Sequence, residues 1–145
     1  MTYYFLKEDL EELDIKTSKL KEKINFYQRE KGLSTTQSSE TWHDNYGFEE
    51  SERQIKRLWS QLQELAEIKN HSEIIDPRGK NNKFDIGKIF KIKDLKTGKE
   101  RQILIGSYMV FKNKNAISYN SPLVEILRGA KKGEIKGDFQ ILEII

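Results

Sequence analysis

The chain has no cysteine among its 145 residues. That absence removes disulfides and every thiolate metal site, leaving oxygen and imidazole as the only metal ligands. Imidazole is scarce too. His43 has no second histidine near it, which makes a zinc site a poor reading, and both His43 and His71 read as surface or packing residues. There are only two prolines, Pro77 and Pro122, so no proline interrupts a helix across the first 76 residues. No apolar run approaches the roughly 18 residues needed to span a membrane, and residues 1–20 hold no apolar signal-peptide core. The expectation is a cytosolic protein with no membrane partner. No glycine-rich phosphate loop, catalytic triad or paired acid–base constellation is visible, which argues against an independent enzyme.

What the chain does have is two seams. Leu6, Leu10, Leu13, Thr17, Leu20, Ile24 and Tyr27 step by four and three residues, as do Phe48, Ser51, Ile55, Leu58, Leu62 and Leu65. Each set falls on one side of a helix, and neither can be left in water. The connection between them is short, so the two helices should fold back as an antiparallel coiled-coil hairpin. A helix of roughly 27 residues is about 40 Å long, far more than a small core requires. Acids at Glu8, Asp9, Glu11 and Glu12 suit the first turns of helix one, and Gly32 after Arg29 and Lys31 predicts its stop near Lys31. The polar run after Gly32 then forms the bend, because Ser and Thr side chains compete for backbone hydrogen bonds. Thr41 and Asp44 nearly match a capping box, which predicts helix two from Trp42 to about Lys69, with Trp59 and Ile68 widening its apolar stripe.

Periodicity changes after Asp76. Pro77, Gly79 and Asn81-Asn82 mark a linker over 76–83, so the hairpin is assigned to 1–75 and a second domain to 84–145. KIFKIKD and RQILIG read as strands joined by a hairpin turn at DLKTGKE, and FQILEII as a further strand. Ser121, Pro122 and Gly129 bracket one short helix as N-cap, first position and stop. The fold class is therefore α+β: a helical hairpin followed by a small antiparallel sheet with one helix. Charge divides at the same place. Residues 1–76 hold 11 Lys+Arg against 16 Asp+Glu, net −5, and residues 77–145 hold 15 against 7, net +8. Such asymmetry fits a partner with opposite patches, or nucleic acid, as well as it fits a solvated basic face. Lys80, Lys83, Lys88, Lys91, Lys93, Lys96, Lys99 and Arg101 are the residues at issue.

Three pieces of the second half carry a family resemblance. They are the strand pair ending Ile103-Leu104-Ile105-Gly106, the segment Ile117-Ser118-Tyr119-Asn120-Ser121-Pro122-Leu123 followed by Leu127-Arg128-Gly129-Ala130-Lys131-Lys132-Gly133, and the last strand from Phe139 to Ile144. Their order and spacing resemble the C-terminal domain of the Gre-type bacterial transcript cleavage factors, a family whose other half is an antiparallel coiled coil. The resemblance implies an FKBP-like C-terminal domain that docks on RNA polymerase near its secondary channel; the expected anchors are Tyr108, Phe111, Asn120, Ser121, Pro122 and Leu123. It implies a monomer whose hairpin tip enters the channel, beside the nascent RNA. There the tip would share the polymerase's catalytic Mg²⁺, with no cofactor of its own, and promote cleavage of backtracked RNA.

The tip departs from the family pattern of two acids, an Asn and an aromatic. Asp44, Asn45 and Phe48 match, whereas the first acid falls on Thr41, with Glu40 beside it. A carboxylate is a hard ligand suited to Mg²⁺, so Asp44 is the expected metal contact, Glu40 the substitute acid and Asn45 the residue that positions water or RNA. Asp44 as a simple helix-start acid, stabilising by about 0.3–1 kcal/mol, is the structural alternative. Trp42, His43 and Tyr46 are candidate RNA contacts, and Trp42 and Tyr46 serve equally well as a cluster closing the hairpin with Phe48. Two rival functions stand beside cleavage: a channel-occupying regulator that does not stimulate it, and, more distantly, an FKBP-like prolyl isomerase.

Overall fold

A computed structural model describes residues 1–37 and 46–145. The chain forms two compact units, Glu11–His71 and a second made of Met1–Leu10 with Ser72–Ile145.

The first unit is the hairpin of α1 (Lys7–Gln37) and α2 (Tyr46–Asn70). Its seam is the one written in the heptads. Leu13, Leu20 and Ile24 are buried against Ser51, Leu58, Leu62 and Leu65, with Thr17, Tyr27, Phe48 and Ile55 half-buried between them. Thr17 is tolerated there because its hydroxyl donates to the Leu13 carbonyl at 2.9 Å, one helical turn back. The pairing is antiparallel: Lys69 meets Asp14, and an equal step forward along α1 and back along α2 brings Lys31 within 3.8 Å of Glu52. Of the two residues expected to widen the stripe, Ile68 is half-buried and Trp59 is 46% exposed.

Helix α1 does not stop at Lys31. It runs through Gly32 to Gln37, so part of the expected bend is helix. An interior glycine costs only about 1 kcal/mol against alanine. Beyond it, each residue that stays helical adds a backbone hydrogen bond. The preceding turn is also held across the hairpin, with the Lys31 ammonium 4.9 Å from the centre of the Phe48 ring. The expected cap at Thr41 and Asp44 lies outside the described residues.

The second unit begins with a strand that the helix-like opening did not announce. Strand β1 (Tyr3–Phe5) pairs in parallel with β2 (Ser72–Ile74), and Ile75 N–H extends the pairing to the Phe5 carbonyl at 2.8 Å. The other edge of β1 is also used. Tyr108 N–H donates to the Tyr4 carbonyl at 3.0 Å, Tyr4 N–H to the Tyr119 hydroxyl at 3.1 Å, and Leu6 N–H to Ser107 Oγ at 2.8 Å. Ser107 is wholly buried, and its hydroxyl in turn donates to the Asp9 carboxylate at 2.5 Å.

The main sheet contains β3 (Ile89–Asp94), β4 (Glu100–Gly106), β5 (Ala116–Ser118), β6 (Ile135–Lys136) and β7 (Phe139–Ile144) in the order β5-β4-β3-β7-β6. It is mixed rather than wholly antiparallel, because β5 runs parallel to β4. The segment 107–115 carries the chain back past β4 before β5 starts, where a tight hairpin would have reversed it. Gly106 permits this return, since a Cβ there would lie 2.7 Å from Val110 Cγ2. Ile86, Phe90, Ile92, Ile103, Ile105 and Ile141 bury one face of the sheet against Val124 and Leu127 of α3 (Pro122–Leu127). Ser121 occupies the N-cap position with extended dihedrals but makes no capping hydrogen bond through its side chain, while Pro122 sits inside the first turn and Gly129 takes a φ of +77° just past the end.

The loop from 75 to 88, which includes the expected linker at 76–83, is internally tied. The Asn82 amide donates to the carbonyls of Pro77 (3.0 Å) and Ile86 (2.8 Å), and its oxygen accepts Ile86 N–H at 2.9 Å.

Two stability outcomes follow. Leu58→Ala, in the centre of the seam, is expected to cost about 2–5 kcal/mol, read as an earlier loss of helical circular dichroism on urea titration. Ser107→Ala strips a buried partner from Leu6 N–H and Asp9 together and is expected to cost about 1–3 kcal/mol; an unchanged denaturation midpoint would show that the hydroxyl contributes nothing.

Candidate functional site

The expected tip residues Glu40, Thr41, Trp42, His43, Asp44 and Asn45 lie outside the described residues, and Tyr46 is the first residue of α2. Among the described residues, no group of three or more His, Asp or Glu side chains is arranged to hold a metal ion. Next to the tip, Glu50 accepts from Gln54 at 2.9 Å and from Arg53 at 2.8 Å; these hydrogen bonds, Gln54 first, hold its carboxyl below the usual range.

The residues expected to dock form two neighbouring segments of the second unit. Tyr108 and Phe111 belong to the loop after β4, and Asn120–Leu123 form the corner that leads from β5 into α3. Tyr108 joins them, its ring 6.3 Å from that of Tyr119. The same ring lies 4.4 Å from Tyr3 and 6.4 Å from Phe5, so Tyr108 is half-buried in an aromatic cluster that holds β1. Phe111 is half-buried as well. In the corner, Ser118 organises the turn: its hydroxyl accepts Asn120 N–H at 3.2 Å and its carbonyl accepts Ser121 N–H at 3.0 Å. Asn120 and Pro122 are exposed as a result, while Leu123 is half-buried against the core. The outward surface of the corner therefore rests on Asn120 and Pro122, with Leu123 and Tyr108 partly committed to packing.

Sequence reasoning missed what fixes this corner. Arg128 Nη2 donates to the Tyr119 carbonyl at 3.0 Å, and its guanidinium lies 5.3 Å from the centre of the Phe84 ring. Phe84 stacks on Tyr119 with ring centres 4.5 Å apart. Burial pushes the Tyr119 hydroxyl above its ordinary pKa, partly opposed by the Tyr4 N–H bond, so it stays a neutral phenol through physiological pH. Nothing in the local pattern around Phe84 or Arg128 signals the partnership, because the two are brought together only by the tertiary fold.

The basic residues differ in their surroundings. Lys91 stands across from Glu143, and Lys93 across from Glu100, on neighbouring strands. Lys96 pairs with Asp138 at 3.2 Å, and Lys88 with Asp85 at 3.7 Å. Lys80 and Lys83, together with Arg78, are exposed on the 76–88 loop and have no ion-pair partner among the described residues.

No family model matches the chain. The chain is 31% identical over 135 residues to the transcription elongation factor GreA of Thermosipho melanesiensis, covering 91% of this chain and 84% of that one. It is 30% identical over 135 residues to GreA of Thermosipho africanus, with the same coverage. A crystal structure of GreA factor homolog 1 (Gfh1) of Thermus thermophilus aligns over 100% of this chain and 99% of that one, with a TM-score of 0.50 and 17% identity, a likeness of fold alone. With a seamed helical hairpin, a mixed sheet bearing one short helix, and this identity sustained over most of its length, the chain belongs to the GreA family of transcription elongation factors.

Proposed function

We propose that the protein binds RNA polymerase through the corner of its second unit, inserts the hairpin tip into the secondary channel and promotes cleavage of backtracked RNA by the polymerase. Membership in a family of transcription elongation factors is the observation that carries this reading. The two-helix hairpin supports it, since α1 at 31 residues is about 46 Å long and gives the tip a long reach. The magnesium belongs to the polymerase; when bound, such an ion acidifies a water and orients it toward the phosphodiester. Asp44 supplies a hard oxygen ligand, Glu40 stands in for the acid that Thr41 lacks, and Asn45 orients water or RNA. Trp42, His43 and Tyr46 line the path of the RNA.

A second reading is favoured by one specific residue. Thr41 stands where the family pattern has an acid, which leaves a single in-register carboxylate at the tip. In this reading the protein occupies the channel and regulates transcription without stimulating cleavage. An isomerase reading has less support, because the aromatic residues of the second unit are packed on one another and on β1.

Asp44→Asn should leave polymerase binding nearly intact and slow cleavage in halted, backtracked complexes about 10–100-fold, the loss of about 1.5–3 kcal/mol expected for a charged partner. Thr41→Asp should strengthen cleavage. If the unmodified protein gives no Mg²⁺-dependent shortening of the transcript while transcription slows as it is added, cleavage is rejected and the channel-occupying regulator stands. Docking is tested separately: Pro122→Glu should weaken polymerase binding by about tenfold with an unaltered melting temperature, and full retention of affinity would move the docking surface elsewhere.

A further inference from the structure

The +8 charge of residues 77–145 is not spread evenly. On β3 it is answered across neighbouring strands, where Lys91 stands opposite Glu143 and Lys93 opposite Glu100. On the loop between β2 and β3 it is not, for a reason the geometry supplies. Both acids of that loop are engaged: Asp76 Oδ1 accepts Arg78 N–H at 3.0 Å, and Asp85 faces Lys88. Arg78, Lys80 and Lys83 are exposed, with no ion-pair partner among the described residues, on a backbone that Asn82 locks with three hydrogen bonds. Gly87, with a φ of +96°, packs so close to Pro77 that a Cβ would lie 3.0 Å from the proline ring, which tightens the base of the loop further. The backbone that carries the cations is thus preorganised and loses little further freedom on binding.

Two open depressions, of about 400 and 500 Å³, border the loop; Arg78 and Lys88 line the first and Lys80 the second. From this arrangement we infer that Arg78, Lys80 and Lys83, which belong neither to the expected docking residues nor to the tip residues, form a contact strip for the sugar–phosphate backbone of a nucleic acid. The residue types favour phosphate over an acidic protein surface. The loop presents no outward aromatic, since its one ring, Phe84, is stacked on Tyr119, and lysine is depleted from protein interface cores. Contacts to phosphate position a nucleic acid without reading its bases, so such a contact carries little sequence preference.

The test needs no polymerase, so its outcome is independent of the docking and cleavage readings. The full-length chain is titrated with a fluorescent, unstructured RNA oligonucleotide across a salt series. Three phosphate contacts give a log–log salt slope of about −2. The variant Arg78→Gln/Lys80→Gln/Lys83→Gln should lose most of that slope and bind at least about tenfold more weakly at low salt. A charge-matched variant at other exposed lysines, Lys114→Gln/Lys131→Gln/Lys132→Gln, should lose little. Equal losses in both variants would show diffuse attraction and overturn the assignment, as would full binding by the loop variant. All substituted residues are exposed, so the melting temperature should stay constant.

Discussion

The parallel pairing of Tyr3–Phe5 with Ser72–Ile74 is the constraint on which the rest of the chain depends. It brings residue 5 beside residue 74, so everything between must leave and return to one place. Two antiparallel helices of similar length meet that condition while burying a continuous seam, and the heptads supply the seam. Closing so long an excursion carries an entropic cost that grows only slowly with its length, so the three-residue strand needs substantial help. That help comes from β1's second edge, where Tyr108, Tyr119 and Ser107 take up its polar groups, and from Phe5, which is fully buried.

How much of this the sequence discloses depends on where each stabilising contact lies. The seams were legible because a helix repeats its contacts every few residues, and each of Leu13, Leu20, Leu58, Leu62 and Leu65 reports the same periodicity. Strands β3, β4 and β7 were legible for the same reason at a shorter period. The end of α1 was misread, because Gly32 has local stop chemistry and the hairpin contacts that outweigh it are distant in sequence. Strand β1 was hidden by its length and by its pairing with residues almost seventy positions away. The parallel course of β5 was hidden because strand direction is set by the path of 107–115, which has no periodicity of its own.

The candidate site divides in the same way. The Asn120–Leu123 corner was found from a run of residues contiguous in the chain, whereas the Phe84–Tyr119–Arg128 stack that shapes it joins three separate segments. Charge was legible only as a sum. The total on the second half does not distinguish Lys91, which stands opposite a glutamate across a strand, from Lys80, which has no ion-pair partner among the described residues; the strand register and the loop geometry make that distinction.

The burial of Phe5 also bears on how the protein is made. Phe5 is synthesised long before Ile74, Ser107 and Tyr119, the residues whose segments enclose it. At a translation rate of about 5–20 residues per second, the wait is on the order of ten seconds, during which Tyr3, Tyr4 and Phe5 have no native partners. The hairpin segment can pair its helices in that interval, because its contacts lie within one continuous stretch. The second unit cannot close until its late strands emerge, so a chain released or arrested early would carry a formed hairpin behind an exposed aromatic triplet, the kind of surface that chaperones bind and that aggregation starts from.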